Sequence, residues 1–237
     1  MSIVADQSTP LRGAGGRRGQ LPAEVASYLR ELILSGQVRP GEFIRLERIA
    51  SATGVSTTPV REALLALHGE GLVELVPRRG FVVLPISPDH IRDLFWTQAQ
   101  FAAELAARAA GRITPEQIAG LEEINRDYDR AVAAEDTERV AALGHAFHRE
   151  INLAADSYRL TRLLASVVKQ LPNRFYASIE SQAGSTSDDH RLLAEALRDH
   201  DARQARSLAQ KHILEGADRV LEALARAEQQ VESVPLG

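Results

Sequence analysis

The segment Gly54-Val55-Ser56-Thr57-Thr58-Pro59-Val60-Arg61-Glu62-Ala63-Leu64 restricts the fold more than any other stretch of the chain. A glycine closes one helical pattern and a second opens two residues later, so two helices cross at a steep angle around a tight turn. Pro59 is tolerated only near a helix start, because it has no N–H to donate and its ring clashes with the turn before it. Ser56 stands at the N-cap, where a side-chain oxygen can accept from a first-turn amide. Val55 and Val60 face the junction with the preceding helix, and Ala63, Leu64 and Leu67 continue that buried face. Ser56, Thr57, Thr58 and Arg61 are left at the exposed leading end. A helix N-terminus bearing hydroxyls and a guanidinium suits phosphates and base edges in a DNA major groove.

The flanks complete a recognisable order. From Pro22 to Ser35, Val25, Ala26, Leu29, Leu32 and Ile33 recur at helical spacing, and Gly36 supplies the stop. Arg39-Pro40-Gly41-Glu42 reads as a turn, and a short helix follows over 46–53, with Arg45 and Arg48 at its start as further candidate DNA contacts. The helix opened by Ser56 runs to about Gly69. Two apolar stretches, 72–76 and 81–84, flank Pro77-Arg78-Arg79-Gly80 and predict a β-hairpin whose tip carries Arg78, Arg79 and Gly80 to the flanking backbone or minor groove. Helix, helix, turn, helix, hairpin is the order of a winged helix-turn-helix.

Charge is distributed in keeping with this reading. The net charge of −4 is wrong for a nucleic-acid binder taken whole, yet residues 1–85 carry ten Arg and no Lys against eight Asp and Glu. All ten of these cations are therefore of the type that makes forked contacts with phosphate and guanine. Residues 1–20, rich in Gly, Ser, Thr and Arg, read as a flexible arm from which Arg12, Arg17 and Arg18 can touch phosphate.

Residues 21–85 thus form the first expected domain and 86–88 a linker within Pro85-Ile86-Ser87-Pro88. Residues 89–231 are helical throughout, with helices near 89–111, 115–134, 137–155, 158–182, 187–199 and 202–231. Thr114-Pro115 and Ser157 are start signals, and Pro172 kinks the fourth helix. Aromatics are only 5% of the chain, so Ala and Leu must fill the core, which favours helices packed on helices. The expected fold is mainly α: a winged helix-turn-helix followed by an antiparallel all-α bundle. With no cysteine, disulfides, thiolate zinc sites and cysteine nucleophiles are excluded. With no apolar run of membrane length and no leader-like segment, a cytoplasmic protein without a membrane partner is expected.

Five of the seven histidines follow residue 140. His145 and His148 are three apart on one helix, His190 opens another, and His212 lies 22 residues beyond it. Imidazoles projecting from three helices into a bundle interior either hold a divalent metal or serve a metal-free pocket as hydrogen-bond donors. No HExxH or comparable catalytic motif is present, and an enzyme is not expected.

Residues 21–85 closely resemble the GntR family of bacterial regulators, through the Pro40-Gly41 turn, the Val-Ser-x-Thr-Pro-Val-Arg-Glu-Ala-Leu helix and the Arg-Gly wing. The family usually has Arg, a guanine reader, where this chain has Thr57. The second half resembles the FCD ligand-binding domain of the FadR subgroup, through Ala146-Phe147-His148-Arg149-Glu150-Ile151, Asp189-His190-Arg191-Leu192-Leu193-Ala194-Glu195-Ala196-Leu197 and His212-Ile213. That resemblance implies a site on His148, His190 and His212 for a metal such as zinc or nickel. In metal-binding members an Asp stands four residues before the first histidine; here that position is Gly144. The first helix also lacks the Arg common in relatives and reads Gln98-Ala99-Gln100-Phe101-Ala102.

The chain is therefore expected to be a DNA-binding regulator, a repressor in the simplest case, that acts as a homodimer on a double-stranded operator. A small-molecule effector, a carboxylate or an acyl compound, is expected at Gln98, His145 and Arg174 beside the histidines. The space left by Gly144 favours a larger or less charged ligand.

Overall fold

The computed structural model describes residues 20–170 and 186–232. The chain divides into two compact units between Ser87 and Pro88. The first contains α1 (Leu21–Leu34), β1 (Phe43–Ile44), α2 (Leu46–Thr53), α3 (Thr57–Gly69), β2 (Val73–Val76) and β3 (Gly80–Val83). The second contains α4 (Pro88–Ala110), α5 (Pro115–Ala133), α6 (Thr137–Ala154), α7 (Tyr158–Val168), α8 (Thr186–Arg198) and α9 (Ala202–Glu232).

In the first unit α1, α2 and α3 surround one apolar core. Val25, Leu29, Val60, Ala63, Leu64, Leu67 and Val73 are fully buried in it, and each large aliphatic contributes about 1.5–3 kcal/mol by leaving water. Gly54 ends α2 in the left-handed conformation, φ 71°, and this turn lets α3 leave at a new angle. The far end of α3 closes with a Schellman motif. Gly71 sits at φ 75°, its N–H reaches the His68 carbonyl, and the Leu72 N–H reaches that of Leu67. A forked ion pair seals this end: Arg30 Nε and Nη2 donate to the two Glu70 carboxylate oxygens at 2.6 and 2.7 Å.

The sheet has three strands in the order β1-β3-β2, all antiparallel. The hairpin expected from sequence is β2–β3, paired from Val73↔Val83 to Val76↔Gly80. The strand β1 was not expected. Phe43 and Ile44 lie within the connection after the Pro40-Gly41 turn, too short for an alternation signal, and pair with Val82 and Phe81.

The second unit is built from helices alone. Its core is alanine-rich: Leu105, Ala106, Ala109, Leu121, Phe147, Ala155, Leu193, Ala194, Leu197 and Ala205 are among its buried members. Small side chains let α4 and α9 approach closely, and these two make the most extensive helix pair in the molecule. Thr114 and Gln117 form a reciprocal capping box at the start of α5, with Pro115 in the first turn.

Two expectations are corrected. Pro88 belongs to α4, where a first-turn proline sacrifices no helical hydrogen bond, and the segment without regular structure is 84–87. The fourth helix of the bundle ends at Val168 instead of near 182. The residue four beyond Val168 is Pro172, which has no N–H to offer the Val168 carbonyl. Ser157 stands at the N-cap of α7, where the sequence places the helix start, although its hydroxyl makes no capping bond and accepts from Arg108 at 3.2 Å. The arm over 1–20, apart from Gln20, and the Pro172 kink lie outside the described residues.

Candidate DNA-reading helix and histidine centre

The geometry of the first unit leaves one end of α3 free. Ser56, Thr57, Thr58 and Arg61 are all exposed, while Val60, Ala63, Leu64 and Leu67 on the opposite face are fully buried. Ser56 occupies the N-cap with extended backbone, but its side chain makes no capping bond. The hydroxyl expected to satisfy the helix therefore faces outward, and the first-turn amides keep their capacity for an external acceptor such as phosphate. Arg45 and Arg48 are exposed at the start of α2.

At the wing, the Arg79 N–H donates to the Val76 carbonyl at 3.1 Å and Arg78 takes φ 64°. Pro77 followed by a residue of positive φ is the type II turn pattern, which ordinarily places Gly or Asn where Arg78 stands. The Arg79 guanidinium lies 4.3 Å from the centre of the Phe43 ring, a cation–π contact that orients it on the unexpected strand β1. Gly80, at φ 97°, begins β3 directly after this loop.

In the second unit, His148 on α6, His190 on α8 and His212 on α9 come together. Their ring centres are 5.2, 5.2 and 5.0 Å apart, and one nitrogen from each lies within 4.8 Å of the others. The His190 ring is stacked on Phe147 at 4.2 Å and meets the Tyr128 ring edge-on at 5.4 Å. His212 Nδ1 faces an Asp189 carboxylate oxygen at 3.3 Å, which turns its Nε2 the other way. Burial, followed by the charges of His212 and His145, lowers the His148 pKa to about 3. Burial also pushes His190 well below the ordinary histidine range, helped by His212, His148 and Arg219. The hydrogen bond from His212 holds Asp189 below the usual carboxylate value.

These properties suit a metal. His148 and His190 are neutral near pH 7 and keep lone pairs for coordination. Among the described residues, both nitrogens of His190 and Nε2 of His212 are buried without a hydrogen-bond partner, a costly state for three polar atoms unless an ion or ligand engages them. Gly144 is buried on α6 and offers no donor, so the ligands that this cluster could offer a metal are three imidazoles. A cavity of about 20 Å³, room for one water, is lined by His148 and Asn152 together with Ala102, Ala106, Ile151, Leu193, Ala209 and Ile213.

The other expected effector residues do not all join this centre. Gln98 is buried on α4. His145 is exposed on α6, displaced from the three gathered rings by the turn of the helix. Arg174 lies outside the described residues. Sequence reasoning missed Asp189 and Arg219. Asp189 adjoins His190 in the chain, but its pairing with His212 is a contact between helices that spacing does not reveal.

Comparison with known proteins agrees with this architecture. Residues 21–83 match the bacterial regulatory proteins of the gntR family, and residues 93–215 match the FCD domain. The HTH-type transcriptional repressor GlaR of Escherichia coli is 26% identical, over 84% of this chain and 94% of its own length. The Nta operon transcriptional regulator of Aminobacter aminovorans is 25% identical, over 81% and 91%. Among solved structures, E. coli McbR/YncC shares the fold with a TM-score of 0.62 at 21% identity, covering 89% of this chain and 98% of that one. With a gntR-type DNA-binding domain followed by an FCD domain over half its length, the chain belongs to the GntR family and is a DNA-binding transcriptional regulator, not an enzyme.

Proposed function

We propose that the protein represses transcription as a homodimer on a pseudo-palindromic operator and that a small molecule in the helical domain changes its hold on DNA. The observation that carries this reading is the asymmetry of α3: its C-terminal half is locked in the core while Ser56, Thr57, Thr58 and Arg61 stand exposed at its leading end. Two copies of α3, about one DNA turn apart, would read two half-sites. Arg45, Arg48, Arg78 and Arg79 add phosphate or minor-groove contacts around each. The relative GlaR is a transcriptional repressor, which supports this direction of control.

In the helical domain, His148, His190 and His212 fit a divalent metal such as zinc or nickel. When bound, it would supply a Lewis-acidic position for an anionic effector group. Asp189 orients His212, and Phe147 and Tyr128 hold His190 in place. The metal-free alternative uses the same unpartnered nitrogens as hydrogen-bonding groups for the effector. Either way, the effector alters operator affinity only by binding the DNA-competent and DNA-incompetent arrangements unequally. No described helix is long and apolar enough to cross a membrane, and the proposed site of action is the cytoplasm.

A gel-shift titration of the full chain against the DNA upstream of its own gene tests the reading. A shift that persists over excess non-specific duplex supports it. Equal affinity for specific and non-specific DNA would overturn it.

A further inference from the structure

The exposed face of α3 changes character along its length. Its leading turns carry Thr57, Thr58 and Arg61, all polar and exposed. The turn that follows carries Leu65 and Ala66, both apolar and both exposed. Leu65 is 48% exposed, while Leu64 before it and Leu67 after it are fully buried. Among the described residues, Leu65 belongs neither to the core of the winged unit nor to the partly buried apolar residues packed against that core. A single leucine in water needs no explanation on an ordinary surface. Under the proposed function, however, this one stands on the helix that reads DNA. At about 100° per residue, Leu65 lies within about 20° of Thr58 around the helix and about 40° from Arg61, so the three share one face.

A helix that presents Thr58 and Arg61 to base edges presents Leu65 to the same groove. Leu65 is about 10.5 Å from Thr58 along the helix axis, the length of about three base pairs. Its side chain has neither donor nor acceptor, so it cannot read the hydrogen-bonding pattern of a base. The major-groove edges of the four bases offer one apolar group, the C5-methyl of thymine. Against a thymine methyl, both partners leave water and no polar atom loses a partner. Against the edge of guanine, adenine or cytosine, the same side chain displaces water from donors and acceptors and replaces none of their hydrogen bonds. An exposed leucine at this place therefore discriminates twice, by attraction to one base and by desolvation of the other three.

We propose that Leu65 is a specificity-determining residue that packs on the C5-methyl of a thymine in the major groove of the operator, about three base pairs from the pair that faces Thr58. This rests on the reading of α3 as the DNA-recognition helix and names a base that the helix selects without a hydrogen bond. The contact continues the exposed leading end of α3 instead of forming a separate surface. Ala66, exposed beside Leu65, brings no polar group that would compete for the base edge.

The test uses the full chain and duplexes that it selects from a random-sequence library. Thymines of the selected site are replaced one at a time by deoxyuridine, which removes the C5-methyl and leaves every hydrogen-bonding group in place. Affinities are read by fluorescence anisotropy at fixed salt for the wild type, Leu65→Ala and Leu65→Gln. In the wild type at least one thymine of each half-site should be sensitive, its replacement weakening binding about fourfold, the effect of one methyl no longer buried. In both variants that thymine and its deoxyuridine counterpart should bind equally well, because the partner of the methyl is gone. The salt dependence, set by phosphate contacts, should stay at its wild-type slope. Three results would each overturn the assignment: no thymine whose methyl matters to the wild type, a sensitivity that persists undiminished in both variants, or a melting temperature lowered by more than about 5 °C in both, which would make Leu65 a packing residue. If a preferred sequence is selected and the thymine result fails, only the role of Leu65 falls. If the library yields no preferred sequence, the reading of α3 falls with it.

Discussion

At the scale of the residue, the DNA-reading end of α3 turns on two positions. Arg61 is exposed one turn into the helix, with buried Val60 and Ala63 close by in sequence to hold the backbone under it. Arg61→Ala should weaken operator binding and reduce the slope of log affinity against log salt by about 1, with an unchanged melting temperature. Fluorescence anisotropy over a salt series measures both. Thr57, exposed beside it, has one hydroxyl where the family usually carries a guanidinium. Thr57→Arg should therefore gain a guanine contact, with discrimination of about 1–3 kcal/mol between operators that differ at that base pair. Competition assays with single-base operator variants would show it, and uniform affinity across them would mean that this position does not face base edges. The wing carries a different signature. Arg78 holds φ 64°, a conformation that costs a non-glycine residue about 1–2 kcal/mol. Arg78→Gly should raise the stability of the winged unit by about that amount while lowering DNA affinity. Chemical denaturation alongside anisotropy would separate the two effects.

At the scale of the element, the free leading end of α3 depends on the other end being fixed. The Arg30–Glu70 pair has side chains only 9% and 17% exposed and ties α1 to the residue that closes α3. Removing one partner leaves a largely buried charge unpaired, so Glu70→Ala should cost about 3–5 kcal/mol, far more than an exposed ion pair is worth. Arg30→Met with Glu70→Leu should recover most of that loss, because the apolar replacement leaves no charge behind. Urea unfolding of the single and double variants closes the cycle. Elements of this kind also show what the sequence makes legible. Helices α1, α2 and α3 are marked by apolar periodicity and by glycines at their ends, and the hairpin by its turn, because those signals are local. Periodicity alone carries the fourth helix of the bundle past Val168, where α7 ends, because it takes no account of the N–H that Pro172 lacks. Strand β1 was missed because two residues carry no period, and its existence depends on β3 across the sheet. The same limit applies to the histidine centre. His148, His190 and His212 stand out as residue types at suggestive spacing, whereas Asp189 facing His212 arises only when α8 and α9 are packed.

At the scale of the whole molecule, the two units have to be energetically linked for the protein to act as a switch, and under the proposed function the histidine centre is where that linkage can be cut without touching DNA contacts. His148 and His212 sit on different helices, α6 and α9; His148 meets Phe147 edge-on and His212 is paired with Asp189, whereas His190 is stacked on Phe147. Replacing both with alanine leaves one imidazole, too few protein ligands for tight binding of a divalent ion. His148→Ala with His212→Ala should therefore lose metal, measured by elemental analysis after dialysis against the free ion, while gel shifts without effector still show operator binding. Because coupling between two ligands is reciprocal, a carboxylate that weakens operator binding of the wild type must itself bind less tightly to the DNA complex, and by the same factor. In the double variant both effects should vanish together. If metal and effector response survive in that variant, the centre lies elsewhere in the bundle. If metal is lost but the effector still displaces DNA to the full wild-type extent, the imidazoles hold an ion that takes no part in the switch.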